Sequence, residues 1–259
     1  MRRWWLTIIS IVVAFVVIFV GVISKGGFNQ AVFGADNNAI QPVLIAQNYS
    51  PTRIMPLGDS ITGGQPPQNS YRRLLWFYLL NAAYNVDFVG STQLNCGFPA
   101  PMPDFDLDNE GHCGWRSDQI LANIDGWLSS NRPDVVLIHL GTNDLGRLDD
   151  FGHERTAEDA IESLRGIIQK LQNYNPTVKI LLAQIIPSCG NEERSIPFNS
   201  LIPNLANQTS TYQSPVIVVD QYTGFDPQLG ADTFDGCHPN DTGEWKMATR
   251  WLEALKNVL

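Results

Sequence analysis

Beyond residue 50 the sequence alternates short apolar runs with longer stretches in which apolar residues recur at helical spacing. The run at 134–140 is apolar without alternation, which is typical of a strand buried on both faces of a parallel sheet. Strands that alternate with helices along the chain indicate a parallel sheet covered by helices on both faces. The predicted strands are 53–57, 86–89, 134–140, 179–185 and 216–220.

Helices are predicted between these strands wherever the apolar residues follow a helical period. Ser70 and Thr156 are good N-caps for two of them, and residues 120–128 place apolar side chains on one face of a third. A helix between 195 and 212 is interrupted by two prolines. The last helix opens at Asp241 with a pattern that resembles a capping box. Its inward-facing residues are predicted to be Trp245, Ala248, Leu252 and Leu255.

The first 25 residues predict a membrane anchor or a signal peptide. Two arginines precede an almost wholly apolar stretch at 4–23, which is long enough to cross a bilayer. We favour an uncleaved anchor over a cleaved signal because of this length, and in both cases the body is exported. Residues 26–50 show no sustained period and are interpreted as a linker. Residues 51–259 then form one domain.

The net charge of −9 argues against nucleic acid as a partner, since no basic patch could replace the counterions of phosphate groups. The four cysteines form no C-x-x-C pair, so a zinc site is not expected. In an exported domain an even count indicates two disulfides, with three possible pairings. We favour Cys96–Cys113 and Cys189–Cys237; the alternative is four free, buried thiols.

Polar and glycine positions follow the carboxyl ends of several predicted strands, where open parallel sheets bind their ligands. Ser60 follows the first strand, Gly114 lies in the loop after the second, and Asn143 follows the third. Asp235 and His238 lie in the loop after the fifth strand. The sequence therefore predicts that five positions from four segments converge at one edge of the sheet.

These residue types suit acyl transfer. A serine hydroxyl such as that of Ser60 is a weak nucleophile until a base takes its proton, and His238 has a suitable side chain. Asp235 precedes it by three residues, so its carboxylate could orient the imidazole. The backbone N–H groups of Ser60 and Gly114 and the amide of Asn143 could stabilise an oxyanion.

The sequence resembles the SGNH, or GDSL, hydrolases. Their four blocks correspond to Gly58-Asp59-Ser60, Gly114, Gly141-Thr142-Asn143-Asp144 and Asp235-Gly236-Cys237-His238-Pro239-Asn240. The resemblance covers nearly all of 53–259 and is closest to the acetylxylan-esterase-like carbohydrate esterase family 3. The residues that show this closer resemblance include Glu110-Gly111-His112 and Trp115-Arg116-Ser117-Asp118.

The resemblance implies a three-layer α/β/α flavodoxin-like fold with about five parallel strands, preceded here by the N-terminal hydrophobic helix. It implies Ser60 as nucleophile, His238 as base and Asp235 as its orienting acid. It also implies Ser60, Gly114 and Asn143 as the oxyanion hole. Cys113 and Cys237 depart from the proline and leucine expected at those positions, which favours the two disulfides.

Other polar and aromatic residues near these blocks have competing interpretations. Asp59 is expected to make a turn hydrogen bond rather than to take part in catalysis. His139, at the end of a central strand, is expected to be buried and hydrogen-bonded. His112 could contact substrate or bond to the backbone, and Trp115 could stack on a sugar or pack in the core. Trp115 and Arg116 are the candidate substrate-binding residues.

We therefore expect an exported serine esterase that cleaves acetyl or other short acyl esters, with acylated carbohydrate as substrate and the N-terminal segment as its contact with a membrane. We expect no metal or cofactor. One alternative is a lipase-type or thioesterase-type acyl hydrolase of the same fold. Another is a noncatalytic cell-surface protein that binds carbohydrate, although such a protein has no use for Ser60, Asp235 and His238 together.

Overall fold

The computed structural model describes residues 29–33, 42–46, 50–146, 148, 150–190 and 192–259. The chain divides into two units, Met1–Ser50 and Pro51–Leu259. In the first unit, strands β1 (Asn29–Phe33) and β2 (Pro42–Ala46) pair in an antiparallel ladder. These two strands were not predicted, because residues 26–50 show no sustained period.

The predicted apolar helix at 1–25 lies outside the described residues. Among the helices that the structure does describe, none is both long enough and apolar enough to cross a bilayer.

The second unit is built on a parallel sheet, as predicted. Its five main strands are β3 (Thr52–Gly58), β4 (Val86–Phe88), β6 (Val135–His139), β7 (Lys179–Gln184) and β8 (Val216–Asp220). They lie in the order β4, β3, β6, β7, β8, which is the order 2-1-3-4-5 of flavodoxin-like folds when the five are numbered along the domain.

Strand β3 has two different neighbours on one side. Its first half pairs with β4, from Thr52 with Val86 to Ile54 with Phe88. Its second half pairs with a two-residue strand, β5 (Glu110–Gly111), so that Gly58 lies opposite Gly111. The chain between β4 and β5 leaves the sheet and returns to it beside the end of β3.

Helices cover both faces of the sheet, which gives three layers. One face packs against α2 (Tyr71–Asn81) and α7 (Asp241–Leu255). The other packs against α3 (Ser117–Ser130), α5 (Ala157–Tyr174) and α6 (Glu192–Thr209). Successive strand residues point to opposite faces, so that Ile54 contributes to the first core and Met55 to the second.

Some local predictions needed correction. The side chain of Trp245 is half exposed rather than inward, because the buried stripe of α7 passes through Met247 and Trp251, adjacent to the predicted stripe. Helix α6 continues through Pro197 and Pro203 instead of being interrupted there. Ser70 does precede α2, but its hydroxyl donates to the carbonyls of Ile61 and Thr62 rather than capping the helix.

Candidate active site

Ser60 lies two residues after the end of β3 and is the first residue of the short helix α1 (Ser60–Gly63). The turn is tight. A Cβ at Gly58 would lie 2.3 Å from the carbonyl oxygen of His139 and 2.4 Å from the hydroxyl of Thr62, so only glycine fits there. The sheet therefore holds the start of α1 in close contact with the end of β6.

Asp59 fixes this turn from within the protein. Its carboxylate is fully buried, and Oδ1 accepts a hydrogen bond of 2.9 Å from the N–H of Ile61. The predicted turn hydrogen bond is confirmed. Burial raises the pKa of Asp59 to about 7, against the lowering effect of the Ile61 N–H, and the neighbouring Asp144 carboxylate raises it further.

A fully buried arginine completes the support of α1. Arg72 donates from Nε to the carbonyl of Thr62 (2.8 Å) and from Nη2 to the carbonyl of Gly63 (2.9 Å). Its Nη1 donates to the carbonyl of Leu107 (2.9 Å) and its Nη2 to the side chain of Asn95 (3.0 Å). Burial lowers the pKa of Arg72 to about 10, so it stays charged at neutral pH. One side chain thus joins the serine turn to the loop between β4 and β5.

The structure brings Ser60, His238 and Asp235 into one hydrogen-bonded chain. His238 Nε2 lies 2.9 Å from Ser60 Oγ, and its Nδ1 lies 2.7 Å from Asp235 Oδ2. An ionised carboxylate only accepts, so Nδ1–H donates to Asp235. In the neutral imidazole Nε2 is then left to accept the hydroxyl proton of Ser60. This is the protonation pattern that a general base requires.

Asp235 is held in its ionised form by the turn that it starts. Its Oδ1 accepts from the N–H groups of Cys237 (2.9 Å) and His238 (2.7 Å). Partial burial raises the pKa of Asp235, but these bonds and the imidazole outweigh burial and hold it below its usual value. The residue opposite the imidazole is therefore an anion at neutral pH.

Gly114 and Asn143 lie on the two segments that follow β5 and β6. Strand β5 and the bond from the N–H of His112 to the carbonyl of Gly58 (2.9 Å) bring the first segment beside the serine turn. Gly114 has φ of +79°, which favours glycine. Asn143 lies in α4 (Thr142–Gly146) and donates from Nδ2 to the carbonyl of Trp115 (2.9 Å). This bond joins the two segments that carry the predicted oxyanion donors.

Trp115, one of the two candidate substrate-binding residues, packs beside His112. Trp115 is half-buried and packs on the core, and its ring lies 4.6 Å from that of His112. His112 stacks on Trp127 at 4.2 Å and bonds to the buried carboxylate of Glu110 (2.6 Å). His112 thus pairs with a carboxylate rather than with the backbone, and its ring forms an aromatic stack with two tryptophans.

Arg116, the other candidate substrate-binding residue, is bonded to neighbouring residues of the protein. Its side chain is buried and its guanidinium donates to both oxygens of Asp118, to Asp150 and to the carbonyl of Leu148. These bonds direct it toward the loop after α4 and occupy it with structural partners.

The structure contains disulfides between Cys96 and Cys113 and between Cys189 and Cys237.

His139, at the end of β6, is buried and accepts a hydrogen bond of 3.2 Å at Nε2 from the N–H of Ile186, so the prediction for this residue is confirmed. Burial lowers its pKa to about 3. A neutral imidazole therefore joins the ends of β6 and β7.

Sequence reasoning missed Arg72 and Glu110. Arg72 precedes Leu75 and Leu79 by three and seven positions, so it falls on the buried stripe of α2, and a charged residue on such a stripe is the signal that could have identified it. Glu110 occurs in the quoted block, but its burial and its bonds to Ser91 and His112 have no sequence signal.

Comparisons with known proteins identify the family of this chain. Residues 57–246 match the model of the GDSL-like lipase/acylhydrolase family. A multidomain esterase of Ruminococcus flavefaciens is 29% identical over an alignment of 231 residues. The match covers 80% of this chain and 29% of that protein, so the chain spans less than a third of this relative.

Two solved structures are similar to most of the chain. One is a carbohydrate esterase family 3 protein of Talaromyces cellulolyticus, with 33% identity, a TM-score of 0.68, and coverage of 80% of this chain and 97% of that one. The other is an acetyl esterase mutant that holds an acetate ion, with the same identity, TM-score and coverage.

Proposed function

Because the chain belongs to the GDSL-like lipase/acylhydrolase family, and its domain is accordingly a carboxylic ester hydrolase, we propose that Ser60, His238 and Asp235 form the catalytic triad of a serine esterase. Its substrates are acetyl and other short acyl esters, carried by carbohydrate. The observation that carries the proposal is the hydrogen-bonded chain from Asp235 through His238 to Ser60, which joins residues 178 positions apart in the sequence.

The proposed reaction has two balanced halves. Ser60 Oγ attacks the ester carbonyl while His238 Nε2 takes the hydroxyl proton, and the same proton then leaves with the alcohol. The resulting acyl-serine is attacked by water, whose proton passes through His238 back to Ser60 Oγ as the carboxylic acid is released. Asp235 stays ionised throughout and stabilises the imidazolium.

The oxyanion of each tetrahedral intermediate is proposed to bind three donors. These are the backbone N–H groups of Ser60 and Gly114 and the side-chain amide of Asn143. Support comes from the N-terminal position of Ser60 in α1 and from the bond that ties Asn143 to the segment of Gly114. An amide nitrogen carries two protons, so one can remain for substrate while the other binds Trp115.

A second candidate substrate class is an ester or thioester with a longer acyl chain. Its support is a set of exposed apolar side chains on the loops that follow β4, β6 and β8 at the same edge of the sheet as Ser60. Exposed apolar groups around a site favour an apolar ligand. The side chains are Phe98, Met102, Phe151 and Leu229.

We also propose that the domain is exported, tethered by residues 1–25 or released after their cleavage. The two disulfides support this location, because such bonds persist in oxidising compartments.

The test is hydrolysis of p-nitrophenyl acetate, butyrate and octanoate and of acetylated xylan by the full chain. We expect the highest kcat/KM with acetyl esters and no catalysed rate with Ser60→Ala. Equal rates for the wild type and Ser60→Ala on every substrate would refute the esterase. A preference for octanoate would favour the second substrate class.

A further inference from the structure

Each disulfide ends directly beside a residue of the candidate active site. Cys113 precedes Gly114, and Cys237 precedes His238. The two bonds therefore attach the segment of a proposed oxyanion donor and the segment of the proposed base to other loops. Their surroundings differ, and the difference assigns them different roles.

The turn at 235–238 orders itself but does not set its own place relative to Ser60. Asp235 Oδ1 accepts from two N–H groups of the same turn, and the N–H of Phe234 bonds to the carbonyl of His238 (3.1 Å). These bonds fix the imidazole relative to Asp235. Further bonds tie the turn to its own loop and to the start of α7: Gly236 N–H donates to Thr233 Oγ1 (3.0 Å), and Asn240, the N-cap of α7, donates from Nδ2 to the Thr233 carbonyl (3.2 Å). Ser60 lies on a different element, so the Ser60–His238 distance depends on how this loop is attached to the end of the sheet that carries Ser60.

Among the residues that the structure describes, two bonds attach this turn to the loop after β7. One is the Cys189–Cys237 disulfide, and the other is the hydrogen bond from the N–H of Cys189 to the carbonyl of Gly236 (3.0 Å). Three residues before Cys189, the N–H of Ile186 bonds to His139. His139 in turn lies opposite Gly58 in the sheet, two residues before Ser60. A short path of bonds thus runs from the base turn to the serine turn.

We propose that the Cys189–Cys237 disulfide is a positioning element for His238, which holds Nε2 within hydrogen-bond distance of Ser60 Oγ. This inference rests on the proposed function. Without the disulfide, the Asp235–His238 pair persists but the turn shifts relative to Ser60. A displacement of about 1 Å at a reacting group is enough to lower a rate about a hundredfold.

The Cys96–Cys113 disulfide has no such role, because other bonds hold its loop. Asn95 binds Arg72 and the carbonyl of Gln68, and the backbones of Thr92 and Asn109 bond to each other in both directions. The carboxylate of Glu110 binds both the N–H and the hydroxyl of Ser91. Gly114 therefore keeps its position when this disulfide is absent, which makes it a matched control.

The experiment compares the full chain as Cys189→Ser/Cys237→Ser and as Cys96→Ser/Cys113→Ser. With p-nitrophenyl acetate we expect the first variant to lose about a hundredfold in kcat with little change in KM, and the second to lose less than about threefold in kcat. Equal kcat losses in the two variants, or a loss confined to KM, would overturn the inference.

A second measurement starts from folded protein. In Cys96→Ser/Cys113→Ser the Cys189–Cys237 disulfide remains, and a phosphine reductant should lower kcat in proportion to the fraction of this bond that is reduced. Reoxidation should restore kcat. The near-ultraviolet circular dichroism spectrum should stay unchanged throughout. Full activity after complete reduction would overturn the proposal. Loss of the spectrum together with activity would also overturn it, because the bond would then serve stability.

A third measurement does not depend on turnover. The chain has only 4 histidines, so the ring nitrogens of His238 can be followed by ¹⁵N NMR. Reduction of the Cys189–Cys237 disulfide should change the ¹⁵N chemical shift of Nε2 and preserve the Nδ1–H that is bonded to Asp235. An unchanged chemical shift of Nε2 would refute the positioning role. If the oxidised wild type were as slow as Ser60→Ala, the esterase proposal would fail while this measurement still tested the disulfide.

Discussion

The turn that carries Ser60 and the turn that carries Asp235 and His238 meet at one hydrogen bond but are supported in opposite ways. The serine turn is built into the core, with Asp59 and Arg72 fully buried beneath it. The histidine turn is partly exposed and depends on short-range hydrogen bonds and a disulfide. Changes around the serine should therefore affect the stability of the fold, and changes around the histidine should affect the rate.

The largest expected effect comes from the contact where the two turns meet. Ser60→Ala and His238→Ala should each lower kcat by roughly 10⁴-fold or more, and the double variant should lose no more than either single one, because the residues act as a unit. Single-turnover kinetics with an activated acetate ester would measure this. Losses that multiply in the double variant would show that the two turns act independently.

The next effect isolates the histidine turn. Asp235→Asn keeps a side-chain oxygen for the two backbone N–H groups but removes the negative charge opposite the imidazole. We expect kcat to fall about 10³-fold or more with little change in thermal stability. Asp226→Asn is the matched control, since Asp226 also accepts a turn hydrogen bond in this loop, from the N–H of Gln228. Similar kcat values for the two variants would contradict the role given to Asp235.

A smaller effect, on stability rather than rate, tests the serine turn. Arg72→Met removes four hydrogen bonds from a buried cation and leaves carbonyls without a donor, so we expect a loss of about 3 kcal/mol or more in the free energy of unfolding. Arg73→Met removes a surface pair with Asp104 and should cost about 1 kcal/mol or less. Urea denaturation measures both, and equal losses would show that burial of Arg72 is not what matters.

The smallest effect is a pH dependence beneath the serine turn. Burial raises the pKa of Glu244 to about 8, although the N–H of Ser70 opposes the shift by bonding to its carboxylate. Between about pH 4.5 and 8 the folded protein holds a proton that the unfolded chain releases, so this group makes stability fall as the pH rises through that window.

Glu244→Gln keeps an acceptor for Ser70 and cannot ionise. We expect it to reduce the decrease in unfolding free energy between pH 5 and pH 8 by up to about 3 kcal/mol, as denaturation curves at the two pH values would show. Glu253→Gln, at an exposed position of the same helix, is the control. An unchanged slope in Glu244→Gln would contradict the assignment.

The sequence predicted the sheet and the convergence of Ser60, His238 and Asp235 for one physical reason. Parallel strands end at the same edge, so polar residues that follow the strands meet there even when they are distant in the chain. The proximity of the three side chains was thus predictable from strand boundaries. Their catalytic roles stay predictions until the variants above are measured.

The supports of the site could not be predicted in the same way. Apolar periodicity shows which face of a helix is buried, but it does not show which groups bond to a polar side chain on that face. The four hydrogen bonds of Arg72 could therefore not be predicted. The same method misplaced Trp245, because adjacent stripes of α7 both carry large apolar residues and only packing decides between them. The bonds of Arg116 depend on a loop after α4 that has no periodic signal.

The segment between β4 and β5, which leaves the sheet and returns to it beside β3, has a further consequence for changes in loop length. The chain leaves the sheet after β4 and re-enters it as β5, and the backbones of Thr92 and Asn109 close the base of the excursion. Insertions or deletions in the outer part of 93–108 are therefore accommodated outside the sheet, while Gly114 returns to the same place. The length of this excursion can therefore change while the segment that carries Gly114 stays beside the serine turn.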